Sequence, residues 1–122
     1  MDTKEIAEKL VSYCRKGEFE AAQKALFAEH AVSIEPKVTP LFPKETKGID
    51  AIIKKGHAFN STVEKFHSIT VTDPIVAGHN FTTLMAMDIT MHGIGRVPMS
   101  EICVYQVKDG KIVSEQFFYD TE

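Results

Sequence analysis

Cysteine is scarce in this chain, and basic residues do not outnumber acidic ones. Only Cys14 and Cys103 occur. They fall in different predicted elements and form no C-x-x-C, so neither a disulfide framework nor a zinc knuckle is indicated. Fourteen Lys and Arg stand against seventeen Asp and Glu, a formal net charge of −3. With the basic residues scattered, nothing points to a nucleic-acid-binding face. No apolar run approaches the roughly 20 residues that a membrane-spanning helix needs. The first residues, MDTKEIAEKL, read as a charged amphipathic helix rather than a signal peptide, so a reduced, cytoplasmic setting is expected. Repeats, linkers and low-complexity segments are missing too. No tight ligand spacing supports a metal, and no cofactor is expected. What remains is one domain over residues 1–122. Its composition, 43% hydrophobic and 25% charged, is ordinary for a globular chain able to build its own core.

The pattern changes along the chain. Asp2 followed by Glu5 predicts a capping box and a first helix with Ile6, Leu10, Tyr13 and Cys14 on one stripe, ended by Gly17. A second helix is predicted from about Glu18 to Ala28, then a short strand from Ala31 to Glu35 stopped by Pro36. Prolines 36, 40 and 43 argue for an extended loop from Pro36 to Lys47. Its Leu41 and Phe42 could form a lid or merely anchor the loop. A third helix is expected from Ile49 to about Ser61, burying Ile52, Ile53, Gly56 and Phe59. Strands follow: Glu64–Val71 with His67, Ile69 and Val71 on one side, then Phe81–Met91. That second strand sets Met85, Met87, Ile89 and Met91 against Leu84, Ala86, Asp88 and Thr90. Between them, Asp73-Pro74 and Gly78-His79-Asn80 read as turns. Helices first and strands afterwards make an α+β plan, with three N-terminal helices packed in a curved sheet.

The last hairpin, Val97 to Asp120, organises the chain. Two strand-forming runs flank Lys108-Asp109-Gly110-Lys111, and Asp-Gly between such runs is a strong hairpin signal. Glu101 and Glu115 sit inside those runs, and their faces depend on the turn. A two-residue Asp109-Gly110 loop pairs Val104 with Glu115 and sends the two acids to opposite faces. A three-residue loop, with Gly110 in the left-handed bulge position, pairs Cys103 with Glu115 and Glu101 with Phe117. Glu101, Cys103, Tyr105, Glu115, Phe117 and Tyr119 then share one face. The three-residue loop is preferred, because one glycine at its last position meets the single steric demand. The type I′ turn stays open, since aspartate tolerates positive φ.

The first helix, KGEFEAAQKALFAEHAVSIEP, KGIDAI and the closing VKDGKIVSEQFFYD together resemble the nuclear transport factor 2-like superfamily, in its SnoaL-like and ketosteroid isomerase-like branch. The resemblance covers nearly the whole chain. It implies a cone-shaped half-barrel with a mostly apolar pocket, pairing as a homodimer through the outer sheet face. It also implies a small apolar ligand, with neither nucleic acid nor membrane as partner. By the same resemblance, the isomerase's general base falls on Glu35, its oxyanion tyrosine on Leu10 and its protonated acid on Cys103. The cyclases' histidine and aspartate fall on Glu115 and Phe117. Leu10 and Cys103 supply no good donor to a developing oxyanion, so steroid isomerisation is not expected.

Glu35, Glu101, Glu115 and His67 are thus the candidate catalytic residues, His67 by a pocket-lining position that the resemblance implies. Leu10, Tyr13, Met85, Met87, Cys103, Tyr105, Phe117 and Tyr119 are expected to line the cavity. Two acids enclosed in an apolar cone repel one another and lose hydration, which raises at least one pKa and makes a shared-proton pair. The expected function is binding of a compact apolar molecule with isomerase-, cyclase- or lyase-like proton transfer. The alternative is a non-catalytic ligand-binding or accessory domain. Each residue also has a plainer reading: a solvated strand glutamate, a rim residue at Glu35, a hydrogen-bonded core histidine at His67, or a buried apolar thiol at Cys103.

Overall fold

A computed structural model describes residues 1–120. The helix α1 (Thr3–Arg15) opens with the predicted capping box: the Glu5 amide donates to Asp2 Oδ1 at 2.8 Å, and the Asp2 amide donates to Glu5 Oε1. Gly17, at φ +72°, closes it. The Gly17 and Glu18 amides donate back to the Cys14 and Tyr13 carbonyls, a Schellman motif that needs a left-handed residue here. Ile6, Ala7, Leu10, Val11 and Cys14 are buried; Tyr13 packs only partly against the core.

The helix α2 (Phe19–Leu26) runs straight into β1 (Phe27–Ile34). Strand therefore begins four residues before the expected Ala31, because Phe27 pairs with Ile112 of the final strand and tertiary pairing overrides local helix propensity. The loop after Pro36 is not wholly extended coil. It contains the short strand β2 (Glu45–Lys47), which pairs antiparallel with β1 and sets Thr46 opposite Ser33. The helix α3 (Ile49–Thr62) follows, and the chain then turns to β3 (Val63–Val71), β4 (Ile75–Ala77), β5 (Asn80–Met91), β6 (Gly95–Lys108) and β7 (Lys111–Phe118). β4 lies between the two expected turns and pairs with the start of β5.

The sheet order is β2-β1-β7-β6-β5-β3 with β4 on β5. Among the described residues only the β1–β7 pairing is parallel, so the sheet is mixed. Three helices pack against this curved, unclosed sheet, an α+β cone. α1 lies across β3, β4 and β5, while α2 and α3 close over β1. The core joins Ile6, Leu10 and Val11 of α1, Leu26 of α2 and Ile52 of α3 to Phe81, Tyr105, Val107 and Ile112 of the sheet.

The last hairpin corrects the expected turn and keeps its consequence. Asp109 (φ +52°) and Gly110 (φ +75°) are both left-handed, and Lys108 pairs with Lys111. The loop is therefore the two-residue type I′ turn. Alone, that turn would put Glu115 opposite Val104. Instead Val107 pairs with Ile112 but Gln106 pairs with Ser114, so Val113 is an extra, bulged residue. Beyond the bulge Tyr105 faces Glu115 and Cys103 faces Phe117. The two expected pairs, Cys103–Glu115 and Glu101–Phe117, are thus each displaced by two residues. A two-residue shift preserves the face, and all six side chains stay together.

A second bulge, between Phe66 and Ser68 where β3 meets β5, corrects His67. Unbroken alternation would turn it inward with Ile69 and Val71. The bulge instead brings its Nε2 to within 2.6 Å of Thr90 Oγ1, on the outer face that Thr90 shares with Asp88.

Candidate functional site

Alternation on four strands and the inner stripe of α3 build one cavity of about 570 Å³. Ala31 and Ser33 on β1, and Glu35 just past its end, point inward and are buried. Parallel pairing sets Ser33 directly opposite Glu115, and the Ser33 hydroxyl donates to Glu115 Oε2 at 2.7 Å. On β6, Glu101 lies opposite Met85, four residues along the strand from the Tyr105 that faces Glu115. Met85 and Met87 line the same cavity with Leu10, Cys14, Tyr105, Phe117 and Tyr119. Tyr13 and His67 are not among the lining residues. Cys103 is wholly buried behind the wall.

The residue that the sequence pattern did not reveal is Lys55. It lies on α3 three residues after Ile52 and four before Phe59, on the stripe that faces the sheet. Its side chain is only 12% exposed. The ammonium donates to Glu35 Oε2 at 2.5 Å and to Ser33 Oγ at 2.8 Å, and it lies 5.5 and 5.2 Å from the ring centroids of Phe42 and Phe117. Tyr119 donates its phenol proton to Glu35 Oε1. Both oxygens of Glu35 are therefore engaged, and a chain runs Tyr119–Glu35–Lys55–Ser33–Glu115. Lys55 could have been noticed only by its spacing within the apolar stripe, and Ser33 only by its place two residues before Glu35.

Glu101 stands apart from that chain. Its one hydrogen bond among the described residues comes from the Cys103 thiol, at 3.7 Å. The expected shared-proton pair is not formed, for each glutamate has a different partner. Both are nonetheless pushed up to about 7. For Glu101 burial is the largest cause, followed by repulsion from Glu35 and Glu115, which the Cys103 thiol and Lys55 offset only in part. For Glu115 burial again dominates, opposed by the Ser33 hydrogen bond and by Lys55. The Cys103 and Tyr105 side chains beside them are raised as well, chiefly by burial, and so stay neutral. Neither thiol is activated: burial and the two glutamates push Cys14 up to about 12.

Phe42, from the loop after Pro36, lines the cavity and packs near Phe59 with ring centroids 6.5 Å apart; Leu41 is exposed. At the mouth, His57 of α3 meets Glu20 of α2, which also holds Lys24 at 2.9 Å. Among the described residues no three of His, Cys, Asp and Glu approach one another as metal ligands would. None of the described helices is long and apolar enough to cross a membrane.

A family model for the SnoaL-like domain matches residues 1–119. The chain belongs to the SnoaL-like family. Among solved structures it is similar to a SnoaL-like protein of Mesorhizobium loti whose name proposes a polyketide cyclase. The two are 29% identical with a TM-score of 0.89, over 98% of this chain and 100% of the other. An NTF2-like protein of unknown function from Burkholderia pseudomallei shares the fold at 13% identity and a TM-score of 0.82, over 98% and 92% of the two chains. A Bacillus subtilis protein whose name proposes an isomerase shares it at 21% identity and a TM-score of 0.72, over 98% and 90%. No curated protein matches the chain at a significant level.

Proposed function

We propose that this SnoaL-like protein encloses a compact, largely apolar molecule and moves a proton on it, as an isomerase, cyclase or lyase does. One observation carries the reading: Glu101 and Glu115, each pushed up to about 7, face one apolar-walled cavity. A carboxyl group poised near neutrality both gives and takes a proton efficiently. The names of the Mesorhizobium loti and Bacillus subtilis neighbours lie in the same class of chemistry. Glu35, occupied by Lys55 and Tyr119, supports that pair by holding the cation in place.

Native mass spectrometry of the purified protein, with the bound molecule then analysed after transfer to D₂O, tests this. A bound small molecule that gains deuterium in the unaltered protein, but not in Glu101→Gln or Glu115→Gln, is the expected result. If both variants only raise the melting temperature and leave binding and exchange unchanged, the reading fails. The second reading, a binding module without reaction, is favoured by the arrangement of Glu35, whose two oxygens are both engaged and so offer no free base. It predicts a bound molecule that never exchanges.

The outer face supports a further part of the proposal, a homodimer. Phe118, Ile102 and Leu84 are direct cross-strand neighbours on β7, β6 and β5, and they are 48, 47 and 43% exposed. A second copy of this chain is the occupant that such a self-complementary row suits.

A further inference from the structure

The direction of two hydrogen bonds assigns separate roles to the two glutamates. An ammonium can only donate, so Lys55 must give a proton to Ser33 Oγ. Ser33 has a single hydroxyl proton, and its other partner is Glu115 Oε2 at 2.7 Å. That proton therefore points at Glu115, which must accept. Lys55 polarises the hydroxyl further, which strengthens the bond to an ionised carboxylate. Glu101 feels the Lys55 charge only through space and accepts no hydroxyl or ammonium hydrogen bond among the described residues. Its hydrogen bond is a thiol contact at 3.7 Å, and Lys55 is already bound to Glu35 at 2.5 Å.

We infer that Ser33 and Lys55 divide the labour of the site, holding Glu115 ionised as the base and leaving the proton on Glu101 as the acid. This rests on the proton-transfer reading above and names the roles within it. Glu115 takes a proton from one atom of the bound molecule while Glu101 delivers its own to another. The molecule's charge is unchanged, and the two carboxyl groups have exchanged states. Ser33 and Lys55 then make the exchanged state the less stable one, so after the product leaves the proton returns from Glu115 to Glu101 through water. An uncharged ligand fits this division, because an anion would meet ionised Glu115 in a low-dielectric enclosure. Ser33 and Lys55 are positioning residues, acting through Glu115.

The other titratable groups around the pair do not reverse the assignment. Cys14 from α1 and Cys103 and Tyr105 from β6 are neutral and buried. Glu35, just past β1, is paired with Lys55 from α3 and capped by Tyr119 beyond β7, beside which Asp120 also lines the cavity. Glu20 from α2 and His57 from α3 bind each other at the mouth.

Carbon-13 NMR of the whole protein, with its glutamates labelled at the side-chain carboxyl carbon, reads the order of ionisation without any ligand. Glu115, which accepts the Ser33 hydroxyl, is expected to lose its proton at a lower pH than Glu101. Ser33→Ala should raise the Glu115 midpoint by about one unit and close that gap, while Ser33→Thr, which keeps the hydroxyl, should preserve the order. If Glu101 ionises first in the unaltered protein, or if Ser33→Ala leaves the gap as it was, the division of roles is wrong. The Ser33→Thr titration guards against a poorly folded alanine variant: an inverted order there also overturns the assignment. Failure is separable from failure of the proton-transfer reading. Inverted midpoints in a protein that still exchanges deuterium into its ligand refute only the roles.

Discussion

The two faces of the same three strands are the reverse of what solvation alone would produce. Along β6 and β7, Glu101 and Glu115 turn toward the protein interior, while Ile102 and Phe118 turn away from it. Placing carboxylates inside costs desolvation, and leaving large apolar groups outside forgoes burial. A chain selected only for a stable monomer would exchange them. On the proposed function, the inner acids serve what enters the cavity, and the outer apolar row serves what covers it. The inner face is itself divided. Toward the hairpin turn it carries Val107, Ile112 and the stacked pair Phe81–Tyr105, with ring centroids 4.8 Å apart. Toward the mouth it carries the glutamates.

The largest expected effect lies at the packed end. Phe81 is 2% exposed and opposite Tyr105, so Phe81→Ala leaves a cavity the curved sheet cannot collapse around. It should cost about 3–5 kcal/mol in urea unfolding. A loss under about 1 kcal/mol would mean that the packed and open ends of the inner face are energetically alike.

A smaller effect of opposite sign is expected at the acid end, and it depends on pH. Glu101 titrates near 4.5 when unfolded and about 7 when folded. Below pH 4.5 both states hold the proton and the contribution to stability is fully present. As the pH rises from 4.5 to 7 the unfolded chain releases a proton that the native chain keeps, so stability falls; above 7 it levels off. The shift corresponds to about 3 kcal/mol at about 1.4 kcal/mol per unit, and the coupling to Glu115 means the two glutamates do not add. Glu101→Gln should therefore raise stability by about 2 kcal/mol at pH 8, leave it unchanged at pH 4, and flatten the slope between. Chemical unfolding at several pH values reads this directly. A parent protein equally stable at pH 5 and pH 8 would remove the cost attributed to the inner face.

Much of this contrast is legible in the residues, because alternation is robust. Glu101, Cys103 and Tyr105 share a parity whatever the turn, and Asp109-Gly110 marks the hairpin. The grouping of Glu115 with them survived a misread turn, because a two-residue turn plus a bulge at Val113 leaves the same faces as a three-residue loop. Nothing local distinguishes these two, since the bulge relieves strain set by the whole curved sheet. The same physics hid His67, where an unseen bulge reversed the face. Lys55 was hidden for a different reason. Helical periodicity treats lysine as surface, and only Glu35, 20 residues away in sequence, makes its burial affordable. Ser33 carried no chemical signal until parallel pairing placed it across from Glu115.

The smallest effect on the monomer, and the sharpest on assembly, is expected outside. Ile102 is flanked across the sheet by Leu84 and Phe118, so a charge there interrupts the row at its centre. Ile102 is already 47% exposed, and Ile102→Glu should change the stability of the isolated chain by no more than about 0.5 kcal/mol. In a symmetric dimer the same substitution acts twice, setting two carboxylates against apolar surface and near each other, which costs several times more. Sedimentation velocity should therefore show the parent as a dimer and Ile102→Glu as a monomer, with the Glu101 and Glu115 titrations unmoved. A parent that sediments as a monomer at every concentration would leave the exposed row without a partner of its own kind, and the reversal of the two faces would then be explained on the inside only.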